Sequence, residues 1–254
     1  MAIDLKSLQK NRAKAPRILI HGGEGVGKTT FACSAPSPVV IDLESGLGVL
    51  EVPHVQPDTY IEVLDVINAL IEQEHDYKTV VIDSLDALES MITIETCTRN
   101  KWSSISEPAY GRGYAERTAL WTPLWVALDK LRDVRNVIII MIAHSQIVKV
   151  EDPVLPAFDK HTPHLYKTET AKVTEWPDVV GYAMIKTYVT ADPVGKSEKV
   201  ARCRATSAGE RVLLTTSNPA YTAKSRYPMP EEIPLVWDEF VQYLKNPLKI
   251  NRGK

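Results

Sequence analysis

The chain has 254 residues, 44% hydrophobic, 24% charged and 7% aromatic, a globular composition that excludes disordered, collagenous and fibrous chains. No stretch approaches the ~18–20 consecutive apolar residues of a membrane helix, and residues 1–17 lack the apolar run of a secretory signal, so a cytoplasmic protein without membrane contact is expected. The net charge of −2 hides an uneven distribution: residues 1–17 carry five basic side chains against one acid, 241–254 carry four and no acid, and the middle is acidic.

RILIH (17–21) reads as a buried strand running into a glycine-rich turn, and 27–34 open a helix. PVVID (38–42) is a second apolar strand. Thr59 can cap a helix whose apolar positions Val63, Ile67, Leu70 and Ile71 recur at helical spacing. TVVID (79–83) is a third strand, 85–99 a helix, 101–113 a loop, and 114–134 a helix that Pro123 should kink or restart. NVIIIMIAH (136–144) is the most apolar strand. Continuous apolar strands separated by helices point to a mostly parallel sheet covered on both faces. After His144 the pattern changes. Residues 148–167, with three prolines, read as a long loop, and a short helix follows near 168–176. Segments 179–190, 199–207 and 211–216 then read as strands ending the sheet in antiparallel pairing, and 235–245 as a closing helix. One domain over 17–245 between basic tails 1–16 and 246–254 is the simplest division.

Gly22-Gly23-Glu24-Gly25-Val26-Gly27-Lys28-Thr29 fits G-x-x-x-x-G-K-[ST], with a strand before it and a helix after it. Glycines there let backbone N–H groups turn toward phosphate oxygens, and the helix start, including Thr30, adds partial positive charge. Lys28 is placed to reach the β- and γ-phosphates of ATP, and the Thr29 hydroxyl to ligand Mg2+. Asp83, at the carboxyl end of an apolar strand, suits a water-mediated contact to the same Mg2+. Glu44, at the mouth of another core strand, suits activation of the attacking water, with Asp42 its rival. Cys33, Cys97 and Cys203 are few, odd in number and scattered, which suggests reduced thiols, and Cys33 has no base beside it.

Together these residues resemble the RecA-type P-loop ATPases. Ile41-Asp42-Leu43-Glu44 is similar to that family's Asp-x-Glu, and Val80-Val81-Ile82-Asp83-Ser84 to its Walker B strand. The resemblance implies a RecA-like α/β core with a C-terminal antiparallel extension and Glu44 as catalytic base. It implies a γ-phosphate sensor at His144 or Gln146, His144 falling directly at the strand end. It also implies a mobile DNA-binding loop over 148–167. Lys224-Ser225-Arg226 resembles the family's Lys-x-Arg pair, which implies that Lys224 and Arg226 complete a neighbouring subunit's ATP site in a ring or filament. In length the chain resembles the core-only phage ATP-binding (AAA-domain) proteins that include RecA-like single-strand annealing proteins. This implies a DNA recombination ATPase with single-stranded DNA, other copies of itself and a single-stranded-DNA-binding protein as partners.

Lys149, Phe158, Lys160, Arg202 and Arg204 are the candidate DNA contacts; Phe158 and Tyr166 can stack on bases or simply pack the loop. His161 and His164 have no neighbours completing a metal site, and Trp121 and Trp125, four apart on a helix, read as core or interface. Two alternatives stand open. One is a P-loop small-molecule kinase with a lid bearing Arg99, Arg112 and Arg117. The other is a non-hydrolysing nucleotide-gated binding module.

Overall fold

The structure is a computed structural model that describes residues 14–154, 156–194, 198–205 and 209–244, with the backbone path alone over 188–205. The basic segments 1–13 and 245–254 lie outside the described residues. β1 (Arg17–Gly22) enters the phosphate loop, which opens α1 (Lys28–Cys33). β2 (Pro38–Asp42), the short β3 (His54–Val55), α2 (Tyr60–Glu72), β4 (Thr79–Asp83) and α3 (Leu85–Asn100) follow. After a 3-10 turn at Ala109–Gly111 come α4 (Arg112–Arg135), β5 (Ile138–Val150), β6 (Phe158–Pro163) and α5 (Lys167–Glu175). The chain then forms β7 (Val179–Ile185), β8 (Thr187–Val194), β9 (Glu198–Ala205), β10 (Arg211–Leu214), β11 (Lys224–Ser225), β12 (Glu232–Pro234) and α6 (Trp237–Leu244).

Among the described residues the main sheet has ten strands in the order β12-β10-β7-β1-β5-β4-β2-β3, with β6 paired to β5 and β11 to β7. From β7 to β3 the pairing is parallel; β10, β11 and β12 add antiparallel pairs. This is the expected α/β class, a mostly parallel sheet with helices on both faces and an antiparallel C-terminal part. Alternation along the strands feeds two cores. Leu19, Val80 and Ile82 face α2, α3 and α4, while Ile18, Ile20 and Val81 face Phe31 of α1 and Trp237 and Phe240 of α6. Each fully buried aliphatic side chain contributes ~1.5–3 kcal/mol.

Most predicted elements occur where the pattern puts them. Thr59 caps α2, its hydroxyl accepting from the Glu62 N–H. Three expectations are corrected. The segment 179–190 divides into β7 and β8, and among the described residues β8 and β9 do not join the main sheet but form a separate two-stranded antiparallel sheet. α4 runs unbroken past Pro123. That ring sits on the exposed side, while Trp121, Leu124, Trp125 and Leu128 bury the other face, so packing outweighs one missing hydrogen bond. Residues 148–167 are not a long loop. β5 continues beyond the sheet to Val150 and folds back as β6, in register from Ser145 opposite Pro163 to Val150 opposite Phe158. The alternation that marks this strand starts only at His144, where the sheet's buried face ends.

His21, at the carboxyl end of β1, is fully buried. Its Nε2–H donates to the Thr222 carbonyl at 2.7 Å and its Nδ1 lies 2.8 Å from the Ser145 hydroxyl. Burial pushes its pKa from 6.5 down to about 4, so the folded ring stays neutral where the unfolded ring is charged. The unfolded chain therefore binds the extra proton, and stability falls as pH drops from 6.5 toward 4, by about 3 kcal/mol from this group. Urea midpoints of wild type and His21→Gln across that window test this. The wild-type slope should be steeper, and parallel slopes would exclude His21 as its source.

Candidate active site

Parallel pairing brings the carboxyl ends of β1, β2, β4 and β5 to one edge. The phosphate loop leaves β1 there. Gly22 is required by contact, because a Cβ on it would stand 2.3 Å from the Ala183 carbonyl of β7. Gly27 is required by conformation, with φ 103°, the left-handed turn that aims the first N–H groups of α1 inward. Lys28 is buried and its Nζ donates to the loop carbonyls of Gly22 at 3.1 Å and Gly23 at 2.8 Å. Burial holds its pKa below the usual lysine value, opposed by attraction to Asp83, Asp86 and Glu44. Val26 is buried, whereas Gly23, Glu24, Gly25 and Thr30 are exposed and Thr29 is half-buried.

Thr29 Oγ1 donates to Asp83 Oδ2 at 2.7 Å, so the two expected Mg2+ residues meet. Burial raises the Asp83 pKa; the Thr29 hydroxyl and Lys28 oppose this, and the charges of Glu44 and Asp42 add to it. Four carboxylates (Asp83, Asp86, Glu44 and Glu24) thus act on one lysine. That excess of negative charge, with hard oxygen donors at its centre, fits a divalent cation such as Mg2+.

The two carboxylates that follow β2 have separate surroundings. Asp42 is buried and shapes the turn: Oδ1 accepts from the N–H groups of Glu44 at 3.3 Å and Gly46 at 3.1 Å, and Oδ2 from Gln56 at 2.9 Å. Glu44 is about one-third exposed, accepts from the Ser84 hydroxyl, and lies 3.7 Å from His144 Nδ1. His144 sits opposite Gly22 in the β1–β5 register. Asp86, in the first turn of α3, accepts from the His144 N–H at 3.0 Å and faces its Nδ1 at 2.7 Å. Glu44, Asp86 and His144 thereby form one polar cluster. Gln146 is directed elsewhere, donating to the carbonyls of Pro163 and Leu165 at the base of the hairpin. Sequence reasoning missed Asp86, since an acid in a first helical turn reads only as compensation of the helix dipole.

A cavity of about 530 Å3 opens beyond Glu44, bordered by Asp86, Glu89, Arg117, Gln146 and Tyr166. Arg117 is buried, pairs with Glu169 at 3.2 Å and Glu89 at 3.6 Å, and lies under the Tyr166 ring at 4.7 Å. Tyr166 stacks on Tyr114 at 4.8 Å, so it packs against the protein body. The Cys33 thiol is pushed up to about 11, chiefly by burial, and stays protonated at neutral pH.

The expected trans-acting pair lies far from the chain's own phosphate loop. β11 pairs with Val179 and Val180 at the start of β7, at the end of the sheet opposite the phosphate loop. Lys224 Nζ donates to the Glu175 carbonyl and Arg226 Nη1 binds Asp178 Oδ1 at 2.8 Å. Arg226 is therefore one of three arginines around Asp178, with Arg17 and Arg132, and not a freely extended cation. Of the expected DNA contacts, Lys149, Phe158 and Lys160 all lie on the β5–β6 hairpin. Arg202 and Arg204 fall on β9, opposite Thr190 and Tyr188, and their side chains lie outside the described residues.

The fold and the loop define a P-loop nucleotide-binding protein. Residues 14–227 match the family model AAA_24, described as an AAA domain, and the chain belongs to that family. Membership implies nucleotide binding, generally with Mg2+. No curated protein matches the chain. The crystal structure of the RadB recombinase is similar at 14% identity and a TM-score of 0.45, over 87% of this chain and 88% of that one. Among the described residues no helix is long and apolar enough to cross a membrane.

Burial alone would raise the Asp178 carboxyl, but hydrogen bonds and charge from Arg17, with Arg132, hold it below the usual range. Asp178→Ala leaves those arginines without their shared carboxylate and should cost about 3–5 kcal/mol in urea unfolding. Arg226→Ala, with the arginine half-exposed, should cost less than about 1 kcal/mol. Equal losses would mean that Arg226 is as structural as Asp178.

Proposed function

We propose that the chain is an ATP- and Mg2+-dependent ATPase that binds single-stranded DNA and acts in DNA recombination, promoting strand annealing or exchange as a homo-oligomer. The observation that carries the hydrolytic part is Glu44, an accessible carboxylate held by Ser84 beside the Thr29–Asp83 pair. Bound at Thr29 and, through water, Asp83, Mg2+ supplies charge neutralisation on the phosphates. Lys28 binds the terminal phosphates once its ammonium leaves the loop carbonyls. Glu44 orients the attacking water and accepts its proton. Asp86 holds His144 through ring and backbone, so the imidazole faces the reacting end in one orientation.

Support for the DNA part comes from the path of β5. The strand that carries His144 continues into the hairpin with Lys149, Phe158 and Lys160, and the His144 carbonyl accepts from the His164 N–H at 2.8 Å. A shift of His144 on γ-phosphate contact is thus passed directly to the hairpin. Of the arginines in the kinase alternative's lid, Arg117 is buried, Arg99 pairs with Glu95, and Arg112 pairs with Glu116 and lies over Trp102.

ATPase rates with and without single-stranded DNA test both parts. Glu44→Gln should keep ATP binding and lower turnover by ~10²-fold or more, because the amide cannot accept the proton. Lys28→Ala should lose binding itself. Full turnover in Glu44→Gln would remove its role as base, and DNA that neither binds nor stimulates would remove the recombination reading.

A further inference from the structure

Three side chains from three elements meet beside the Thr29–Asp83 pair. Glu44 follows β2, Asp86 stands in the first turn of α3, and His144 lies where β5 leaves the sheet. Their donor atoms lie within 4.8 Å of one another, with His144 Nδ1 at 2.7 Å from Asp86 Oδ2 and 3.7 Å from Glu44 Oε1. A zinc-type dication sits about 2.0–2.2 Å from nitrogen and carboxylate ligands, so two donors on one ion stand roughly 3–4 Å apart. The triad is near that spacing, and Glu44, the most exposed of the three side chains, can turn to complete it.

The groups behind the triad hold it in place. Asp86 Oδ1 accepts from the His144 N–H at 3.0 Å, which leaves Oδ2 toward the ring. Glu44 accepts from the hydroxyl of Ser84, which is buried. Outer hydrogen bonds of this kind orient metal-binding carboxylates and strengthen their grip. Burial alone would raise the Asp86 carboxyl, but hydrogen bonds from His144 hold it below the usual carboxylate range. Two carboxylates supply the two negative charges that a dication needs. A cavity of about 530 Å3 opens over Glu44 and Asp86, which gives an entry path and room for water as further ligands. The donor set also differs from that of the Thr29–Asp83 pair. That pair offers a hydroxyl and a carboxylate, hard oxygens that suit Mg2+. The triad adds an imidazole nitrogen, which suits Zn2+ or Co2+.

We propose that Glu44, Asp86 and His144 bind one transition-metal dication, with Zn2+ the best fit, and that this ion arrests hydrolysis while nucleotide binding persists. The ion takes the place of the proton between Asp86 and the His144 ring, and it claims the Glu44 oxygen that the attacking water needs. The effect on turnover rests on the proposed roles of Glu44 and His144, whereas the metal site rests on the triad alone.

Co2+, whose visible absorption reports its ligands, is the first probe. It is titrated into the full chain without nucleotide and then challenged with Zn2+ and with excess Mg2+. Wild type should bind Co2+ and release it to Zn2+ but not to Mg2+. His144→Ala and Asp86→Asn should each bind Co2+ about tenfold or more weakly. Thr29→Ala, which removes a Mg2+ ligand, should bind Co2+ as wild type does. Equal Co2+ binding in wild type and both triad variants, or displacement by Mg2+, would overturn the site and leave the Asp86–His144 contact as a hydrogen bond only. With ATP and Mg2+ present, Zn2+ should stop turnover over the range in which it displaces Co2+, and ATP affinity should stay within about twofold. Unchanged turnover at saturating Zn2+ would overturn the arrest. A chain that binds Co2+ through His144 but hydrolyses no ATP with Mg2+ alone would sink the ATPase reading and keep the metal site.

Discussion

Parallel pairing of β1, β5, β4 and β2 places the carboxyl ends of four buried strands along one edge, and the chemistry of this protein depends on that constraint. Each strand ends in a different polar group: the phosphate loop after β1, Asp42 and then Glu44 after β2, Asp83 at the end of β4, and His144 where β5 leaves the sheet. None of these groups has to find another by its own flexibility. Their spacing is inherited from strands whose interiors are buried on both faces, so the site is as rigid as the core beneath it. The contact of Gly22 with the Ala183 carbonyl extends the constraint to β7, because any side chain at Gly22 would push the sheet apart.

Convergence has an electrostatic cost. Burial works against charge on both Lys28 and Asp83, and the neighbouring carboxylates raise Asp83 further. The arrangement therefore stores an affinity for cations and for phosphate together: the carboxylates attract a metal, and the metal and Lys28 attract the anion. Distribution of roles among the acids limits the cost. Asp42 and Asp86 are held by N–H donors and by His144, whereas Asp83 and Glu44 accept from the hydroxyls of Thr29 and Ser84.

The same edge is joined to the β5–β6 hairpin and α5 by short polar links. Asp86 and Glu89 stand on successive parts of α3. Asp86 holds His144, and Glu89 accepts from the Tyr166 N–H and pairs with Arg117. Arg117 in turn pairs with Glu169 of α5. His144 is therefore linked to the hairpin through its own carbonyl and to α5 through α3 and α4. At the other end of the sheet Asp178 gathers Arg17, Arg132 and Arg226, fixing the start of β1 and β7.

The phosphate loop, the apolar strands and the capped α2 were legible in the sequence because each is written in contiguous residues: a motif, a run of Val and Ile, a Thr before a helical period. Asp83 and Glu44 were legible for the same reason, as polar residues closing apolar strands. Tertiary structure alone decided what depends on residues far apart in the chain. It separated Glu44 from Asp42 and His144 from Gln146 by their hydrogen-bond partners. It turned 148–167 into a hairpin, because the second strand, rich in polar residues, pairs only when β5 is there to receive it. It set Arg226 against Asp178, and it brought Arg211 from β10 over Gly27. Local spacing carries no information about which distant charge will lie across a sheet, and such contacts exist only once the strand order is set.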